Sequence, residues 1–268
     1  DLHIPVTLSF WRWMIALAVM APLVALPMWR QREVIFKHLP ALLLLGILSV
    51  STFNTLLYIG VQTTTATTGT LFNSLIPLYV LVISIAFMGH NPSARQLAGL
   101  ALSFLGVLAI ISRLDWATLS ALQFTEGDLW LLLATFIWGI YSALLKPLRP
   151  PQLTGLSFLG ITAMLGTLAL LPLYLINPFD EVMPQMTERL WLVLLYISIF
   201  PSVVAYLAWN HGLAVMGANI GSQFIHFTPV FGAALAALIL NERIYGFHLI
   251  GAGLIGIGLY LSLRSAKR

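Results

Sequence analysis

The chain has 268 residues, of which 59% are hydrophobic and only 8% are charged, and its formal net charge is +4. Soluble globular domains carry about 25% charged residues, so this composition excludes a water-soluble protein and indicates one that crosses a membrane many times. The absence of cysteine excludes disulfides, thiolate zinc sites and cysteine nucleophiles, and the 13 scattered Lys and Arg residues predict no nucleic-acid partner.

Nine stretches of the chain reach the length of a membrane-spanning helix. Such a helix needs about 20 mostly apolar residues, because its backbone N–H and C=O groups must bond to one another inside the hydrocarbon. We number the predicted spans 1 to 9 in chain order; they cover residues 6–29, 38–60, 64–88, 95–112, 127–146, 152–176, 189–210, 217–240 and 244–264. The sequence therefore predicts an all-α polytopic membrane protein.

Basic residues are concentrated on one side of the predicted bundle. Nine fall on that side: Arg30, Arg32, Lys37, Arg95, Lys146, Arg149, Arg264, Lys267 and Arg268. Three fall on the other: Arg113, Arg189 and Arg243. Because Lys and Arg are enriched in cytoplasmic loops, we expect a cytoplasmic C-terminus and residue 1 on the outer side of a bacterial inner membrane. An outer first residue that is not Met leads us to expect a further helix before this sequence.

A shift of 152 residues brings glycines and prolines of the two halves into register. The five matching pairs are Gly60 and Gly212, Gly69 and Gly221, Pro77 and Pro229, Gly99 and Gly251, and Gly106 and Gly258. Spans 2, 3 and 4 therefore repeat as spans 7, 8 and 9. The recurrence of Leu8-Ser9-Phe10 as Leu156-Ser157-Phe158 pairs span 1 with span 6.

Span 5 has no partner in the sequence, so we expect its partner to be the preceding helix, which makes five helices in each repeat. An odd number of helices inverts the second repeat in the membrane, as in many secondary transporters, whose substrate sites lie between the halves. We place the first repeat at residues 1–112, the connecting loop at 113–126 and the second repeat at 127–268.

Small residues line the last span of each repeat, where they allow close helix packing in lipid. They are Gly99, Ser103 and Gly106 in span 4, and Gly251, Ala252, Gly256 and Gly258 in span 9. We expect these two spans to support the bundle away from the substrate path.

Polar and aromatic residues inside the other spans are candidates for substrate binding, because polar groups are costly in the membrane and aromatic rings can bind apolar side chains. The alternative is that they are packing residues. We predict that ten of them bind substrate: Asn54, Tyr58, Asn73, Trp138, Tyr141, Tyr206, Trp209, Asn210, Gln223 and His226. Pro77 and Pro229 should bend spans 3 and 8, either as hinges or as static kinks.

The charged residues carry the remaining predictions. All nine acidic residues fall at predicted helix ends or in loops, whereas ion-coupled carriers commonly use a carboxylate within the membrane. We therefore expect facilitative transport, with coupling through His226 as the alternative.

Arg12 lies inside span 1, where we expect it to snorkel to the headgroups or to make a structural hydrogen bond; guiding a substrate carboxylate is the alternative. The chain has no phosphate-binding loop, zinc motif or nucleophile motif, so we expect no enzyme activity, metal or cofactor.

Several segments resemble one known family. Gly127-Asp128-Leu129-Trp130 and Ala134-Thr135-Phe136-Ile137-Trp138 resemble the opening helix of an EamA repeat. Leu240-Asn241-Glu242-Arg243, followed by Gly251 and Gly258, resembles its closing signature, and Pro5 to Arg12 resembles its second helix. In the first repeat, Gly89-His90-Asn91 stands where the second has the acidic turn. The resemblance implies the drug/metabolite transporter superfamily, with ten helices, and within it the sequence is most similar to the YddG-type amino-acid exporters.

We therefore predict an alternating-access transporter that exports amino acids, with aromatic or hydrophobic side chains, or similar small metabolites. Its partners would be a small-molecule substrate and the lipid bilayer, and we expect it to work as a monomer. Two alternatives remain open: multidrug or cationic-metabolite export through cation–π contacts, and a membrane scaffold or lipid-handling protein.

Overall fold

The computed structural model describes residues 4–120, 122–182 and 184–265, and every regular element within these ranges is helical. In this part of the chain nine helices are long and apolar enough to cross a membrane: α1 (Pro5–Arg30), α2 (Leu39–Gly60), α3 (Ala66–Met88), α4 (Ala94–Ser112), α5 (Glu126–Leu148), α6 (Gly155–Ile176), α7 (Glu188–Met216), α8 (Ala218–Leu240) and α9 (Gly246–Ser265). Short helices at Arg32–Lys37 and Trp116–Ser120 occupy two of the connections.

The nine helices coincide with predicted spans 1 to 9, so the prediction of an all-α polytopic membrane protein is confirmed. The largest difference is in α7, which continues to Met216, beyond the predicted end at residue 210. Residue 1, Lys267 and Arg268, on which the predicted orientation partly depends, lie outside the described residues.

Two of the long helices contain a π-helical segment, at Ile47–Thr52 in α2 and at Phe200–Val204 in α7. In α7 the cause is Pro201, which has no N–H to donate to the carbonyl of Ile197. The Ser202 hydroxyl donates to that carbonyl instead, at 2.8 Å. In α2 the amide Nδ2 of Asn54 donates to the carbonyl of Ser49, at 2.7 Å. The two segments end at Thr52 and Val204, which are related by the 152-residue shift. The wider helical turn therefore occurs at equivalent positions in the two repeats.

Helices α3 and α8 are interrupted in front of the predicted hinge prolines. In α3 the helix Ala66–Asn73 ends and a second helix begins at Ile76, immediately before Pro77. In α8 a 3-10 segment at Ser222–Phe227 precedes the helix that begins at Thr228, immediately before Pro229. Proline favours the first turn of a helix, where no N–H is needed, so each proline starts a new helical segment. Whether these breaks move remains a prediction.

Helices α4 and α9 pack against each other in antiparallel directions through four glycines. Gly99 lies against Gly258, and Gly106 lies against Gly251; a Cβ atom on any of the four would overlap a backbone carbonyl oxygen of the other helix. The predicted packing role of these glycines is therefore confirmed. Gly256 is an exception, because a Cβ atom there would meet only open space. It lies two positions before Gly258, so it points to a different face of the helix.

Acidic side chains accept hydrogen bonds from backbone N–H groups at the start of two helices, α1 and α5. Glu181, in the connection after α6, accepts hydrogen bonds from the backbone N–H groups of Val6 (2.9 Å) and Thr7 (2.7 Å). Asp128 accepts from the N–H of Thr125 in a capping box at the start of α5, and also from the Thr64 hydroxyl. Carboxylates are favourable at helix N-termini, where backbone N–H groups lack partners.

The main hydrophobic core joins the two halves, with buried residues from α1, α2, α3, α5, α6 and α7. Helices α2 and α6 approach each other closely, since a Cβ atom on Gly46 or Gly166 would overlap the backbone of the other helix.

Candidate functional site

A cavity of about 460 Å³ opens between helices from both halves, a volume within the usual range for small-molecule sites. Five of the ten predicted substrate-binding residues line it: Asn54, Asn73, Trp138, Tyr206 and Trp209. The other lining residues are Arg12, Phe53, Leu57, Ile76, Pro201, Ala205, Phe224, Ile225 and Thr228. The helices that provide them are α1, α2, α3, α5, α7 and α8, so α4 and α9 stay away from this space.

One wall of the cavity is aromatic and is centred on Trp138 of α5. Its ring lies 4.4 Å from the Phe53 ring, 5.1 Å from the Tyr206 ring and 5.8 Å from the Trp209 ring, measured between centroids. The indole N–H of Trp209 donates to the Ser142 hydroxyl at 3.2 Å, which holds that ring in place. Such a cluster can bind an apolar or aromatic side chain by contact with the ring faces.

The cavity lining also includes a charged residue, Arg12. Its guanidinium is buried in the bundle, and only 5% of the residue is exposed. Its Nε donates to the Ser202 hydroxyl at 2.5 Å. Its Nη1 donates to the Asn54 side-chain oxygen at 2.9 Å and to the Tyr58 hydroxyl at 2.6 Å. The expectation of snorkelling is therefore wrong, and the expectation of a structural hydrogen bond is met three times. Buried polar partners within reach remove any gain from extending to the headgroups.

Arg12 is the lining residue that the sequence could best have identified. It is the one Lys or Arg that lies away from the ends of a predicted span, and a charge there requires partners in the bundle. The apolar lining residues, such as Phe53 and Ile225, carry no such signal, because each resembles the many apolar residues that contact lipid.

A chain of hydrogen bonds joins the two halves through two residues that line the cavity, Asn54 and Tyr206. The amide Nδ2 of Asn54 donates to the Tyr206 hydroxyl at 2.9 Å, and this hydroxyl donates to the carbonyl of Ser49 at 2.6 Å. Tyr206 also stacks edge-on against Trp13, with 5.0 Å between the centroids. Polar and aromatic walls are thus linked through one tyrosine.

Five predicted substrate-binding residues lie behind the cavity wall instead of on it. Tyr58 is absent from the cavity lining, and its hydroxyl accepts a hydrogen bond from Arg12. Tyr141 donates to the side-chain oxygen of Asn210 at 2.6 Å, and both residues are 1% exposed. Gln223 donates to the carbonyl of Asn219 at 3.0 Å within its own helix.

His226 is fully buried between α8 and the first half. Its Nε2 lies 2.9 Å from the carbonyl oxygen of Ser74, and its Nδ1 lies 2.8 Å from the Ser103 hydroxyl. Since a carbonyl oxygen only accepts, Nε2 carries the proton. The imidazole therefore ties α8 to α3 and α4, and it does not line the cavity.

The chain is similar in sequence to known transporters and in fold to a solved structure. Residues 3–112 and 125–264 match the EamA-like transporter family. The chain is 26% identical over 255 residues to the uncharacterized transporter YyaM of Bacillus subtilis, with 95% of this chain and 83% of YyaM covered. It is 25% identical over 223 residues to a probable terminal-alkyne amino-acid exporter of Streptantibioticus cattleyicolor, with 82% of this chain and 71% of the exporter covered. One crystal structure shares the fold over 98% of this chain and 88% of its own, with a TM-score of 0.77 and 17% identity.

Proposed function

The chain belongs to the EamA-like transporter family, and we propose that this multi-pass membrane transporter exports amino acids with apolar or aromatic side chains, or similar small metabolites. The observation that carries the proposal is the composition of the cavity wall. It combines the ring cluster around Trp138 with the polar groups of Arg12, Asn54 and Asn73 in a space of about 460 Å³. An amino acid has the matching halves, an apolar side chain and a compact polar end.

We propose alternating access between the two halves as the mechanism. Inverted repeats commonly rock against each other around a site between them, and interrupted helices line such sites. Helices α3 and α8 are both interrupted, and the residues next to the breaks, Asn73 and Thr228, line the cavity. Pro77 and Pro229 would then act as hinges, because they mark the positions where backbone hydrogen bonding is already broken.

We also propose that transport is facilitative. Among the described residues, no Asp or Glu lines the cavity, so substrate binding there need not accompany the titration of a carboxylate. The sidedness of Lys and Arg supports a cytoplasmic C-terminus in a bacterial inner membrane, with residue 1 outside. The cavity is built within one chain, so we propose that a monomer suffices. The similarity to an exporter named for an amino acid supports this substrate class.

The experiment that tests the proposal is efflux from proteoliposomes that contain the purified protein and are loaded with radiolabelled L-phenylalanine or L-tryptophan. We expect efflux faster than from protein-free vesicles, with saturation at increasing substrate concentration. Dissipating the pH gradient with a protonophore, at an unchanged substrate gradient, should leave the rate unchanged. No protein-dependent efflux of any amino acid would overturn the substrate assignment, and a rate that collapses with the pH gradient would overturn facilitated transport.

Cation export is the second candidate, because rings such as Trp138 and Trp209 can attract cations. Competition separates the two functions. Tetraphenylphosphonium should compete weakly with L-phenylalanine efflux if the protein exports amino acids, and strongly if it exports lipophilic cations.

A further inference from the structure

Arg12 is a buried charge without a buried counter-charge. Its three hydrogen-bond partners, Ser202, Asn54 and Tyr58, are all neutral. Among the residues that the structure describes, no Asp or Glu forms an ion pair with this guanidinium. A buried charge is strongly unfavourable unless it is paired, so the site is electrostatically incomplete as the chain alone builds it.

The guanidinium also keeps an unused edge. Its Nε–H and both N–H groups of Nη1 are directed to protein acceptors, whereas Nη2 has no acceptor among the described residues. Arg12 itself lines the cavity. The N–H groups of Nη2 can therefore donate a charge-assisted hydrogen bond to a carboxylate, which is shorter and stronger than a bond between neutral groups.

We propose that Arg12 binds the carboxylate of the transported solute, so that the substrates are monocarboxylates with an apolar or aromatic side chain. This inference rests on the proposed export function and narrows its substrate class. One carboxylate neutralises the single positive charge of the wall, whereas an organic cation adds a second one. The solute's side chain then lies against the rings around Trp138.

The neutral partners of Arg12 hold its position from both halves. Asn54 and Tyr58 belong to α2 of the first half, and Ser202 belongs to the π-helical segment of α7 in the second. The side chain is therefore oriented before a ligand arrives, which lowers the entropic cost of binding. Ser202 serves as a positioning residue in this arrangement.

The test compares four ligands that share a phenyl group and differ in charge: L-phenylalanine, 3-phenylpropionate, L-phenylalaninamide and 2-phenylethylamine. Each is measured as an inhibitor of L-phenylalanine counterflow in proteoliposomes and as a thermal stabiliser of the purified protein. We expect both carboxylates to bind, and the amide and amine to bind at least roughly tenfold more weakly, as is typical for loss of a hydrogen bond to a charged group. Equal binding by acid and amide, or no stabilisation by either carboxylate, would overturn the inference.

Variants of Arg12 provide the second arm. Arg12→Gln should abolish the preference for acid over amide, and Arg12→Lys should retain part of it. Ser202→Ala keeps the charge but removes one of the bonds that orient the guanidinium, so it should weaken the binding of both carboxylates and reduce, without abolishing, the preference for acid over amide. Arg149→Gln is the matched control, because Arg149 does not line the cavity. If Arg12→Gln fails to fold, the four ligands measured on the wild-type protein still test whether a carboxylate is required for binding. An Arg12→Gln protein that keeps the full acid preference would contradict the proposal.

The two levels of the proposal fail separately. If amino acids are exported but their amides compete equally, the role of Arg12 is wrong and the export function stands. If 3-phenylpropionate stabilises the protein in an Arg12-dependent manner but no amino acid is exported, the carboxylate site stands and the amino-acid assignment is wrong.

Discussion

The side-chain amide of Asn54 donates a hydrogen bond to the hydroxyl of Tyr206, at 2.9 Å, and the two residues occupy equivalent positions in the two repeats. A residue can contact its own repeat equivalent only close to the axis that relates the repeats. Ser74 and His226 form a second such pair, joined through the Ser74 carbonyl at 2.9 Å. The axis therefore passes beside the cavity, and the wall is formed at the place where the halves must separate if they rock.

The glycine contacts between α4 and α9 have the same symmetry. Gly99 contacts Gly258, which is the equivalent of Gly106, and Gly106 contacts Gly251, which is the equivalent of Gly99. When two antiparallel helices are related by a two-fold axis, each contact between them has a second copy in which the two helices change roles, and these two glycine pairs are such copies. These four residue pairs are the contacts expected if the repeat predicted from the 152-residue shift is inverted.

Tyr206→Phe should destabilise the protein by about 0.5–1.5 kcal/mol, because it removes two buried hydrogen bonds between the halves, while the Asn54 amide and the Ser49 carbonyl keep the bond to each other. The measurement is the free energy of unfolding in denaturant, or the thermal midpoint in detergent. Tyr196→Phe on the same helix is the control, since Tyr196 is 59% exposed and should tolerate the change. Similar stability of the two variants would show that the bond between the halves adds nothing.

Gly258→Ala should destabilise the helix pair by about 1–3 kcal/mol through overpacking, because the added methyl group would overlap the Gly99 carbonyl and the Ser103 backbone. Gly256→Ala, two residues earlier on α9, has open space and should be neutral. Thermal unfolding followed by size-exclusion chromatography compares the pair. A harmless Gly258→Ala would contradict the close approach of α4 and α9.

Trp138→Leu should weaken the binding of aromatic amino acids by about tenfold, because the ring contacts with Phe53, Tyr206 and Trp209 order the wall that holds the side chain. The half-saturation concentrations of L-tryptophan and L-leucine in counterflow provide the readout, and L-leucine should change less. Trp191→Leu, at a position 47% exposed on α7, serves as the control. An equal loss for both substrates would indicate general damage to the fold.

His226→Leu should lower stability by about 1–3 kcal/mol, because the carbonyl of Ser74 would remain buried without its donor. Since His226 does not line the cavity, the preference of any surviving protein for acid over amide ligands should be unchanged. His211→Leu, at an exposed position on α7, is the matched control. A changed ligand preference in His226→Leu would instead place the imidazole in the substrate path.

The sequence by itself determined the number and position of the spans in the described chain, because apolar length and backbone hydrogen bonding leave one solution in lipid. It also determined the repeat and the packing role of Gly99, Gly106, Gly251 and Gly258. These glycines are recognisable because small residues at helix contacts serve the same purpose wherever they occur.

Only the tertiary structure decided which side chains reach the cavity. Asn54 and Tyr58 share a face in a regular helix, yet Asn54 lines the cavity and Tyr58 lies behind Arg12. Both residues lie in the same regular stretch of α2, so the difference comes from the side chain of Arg12, which bonds to both and lies over the Tyr58 ring, and this contact depends on how α1 packs against α2. Arg12 shows the same limit: its partners come from α2 and α7, far away in the sequence, and only their convergence holds the guanidinium at the cavity wall.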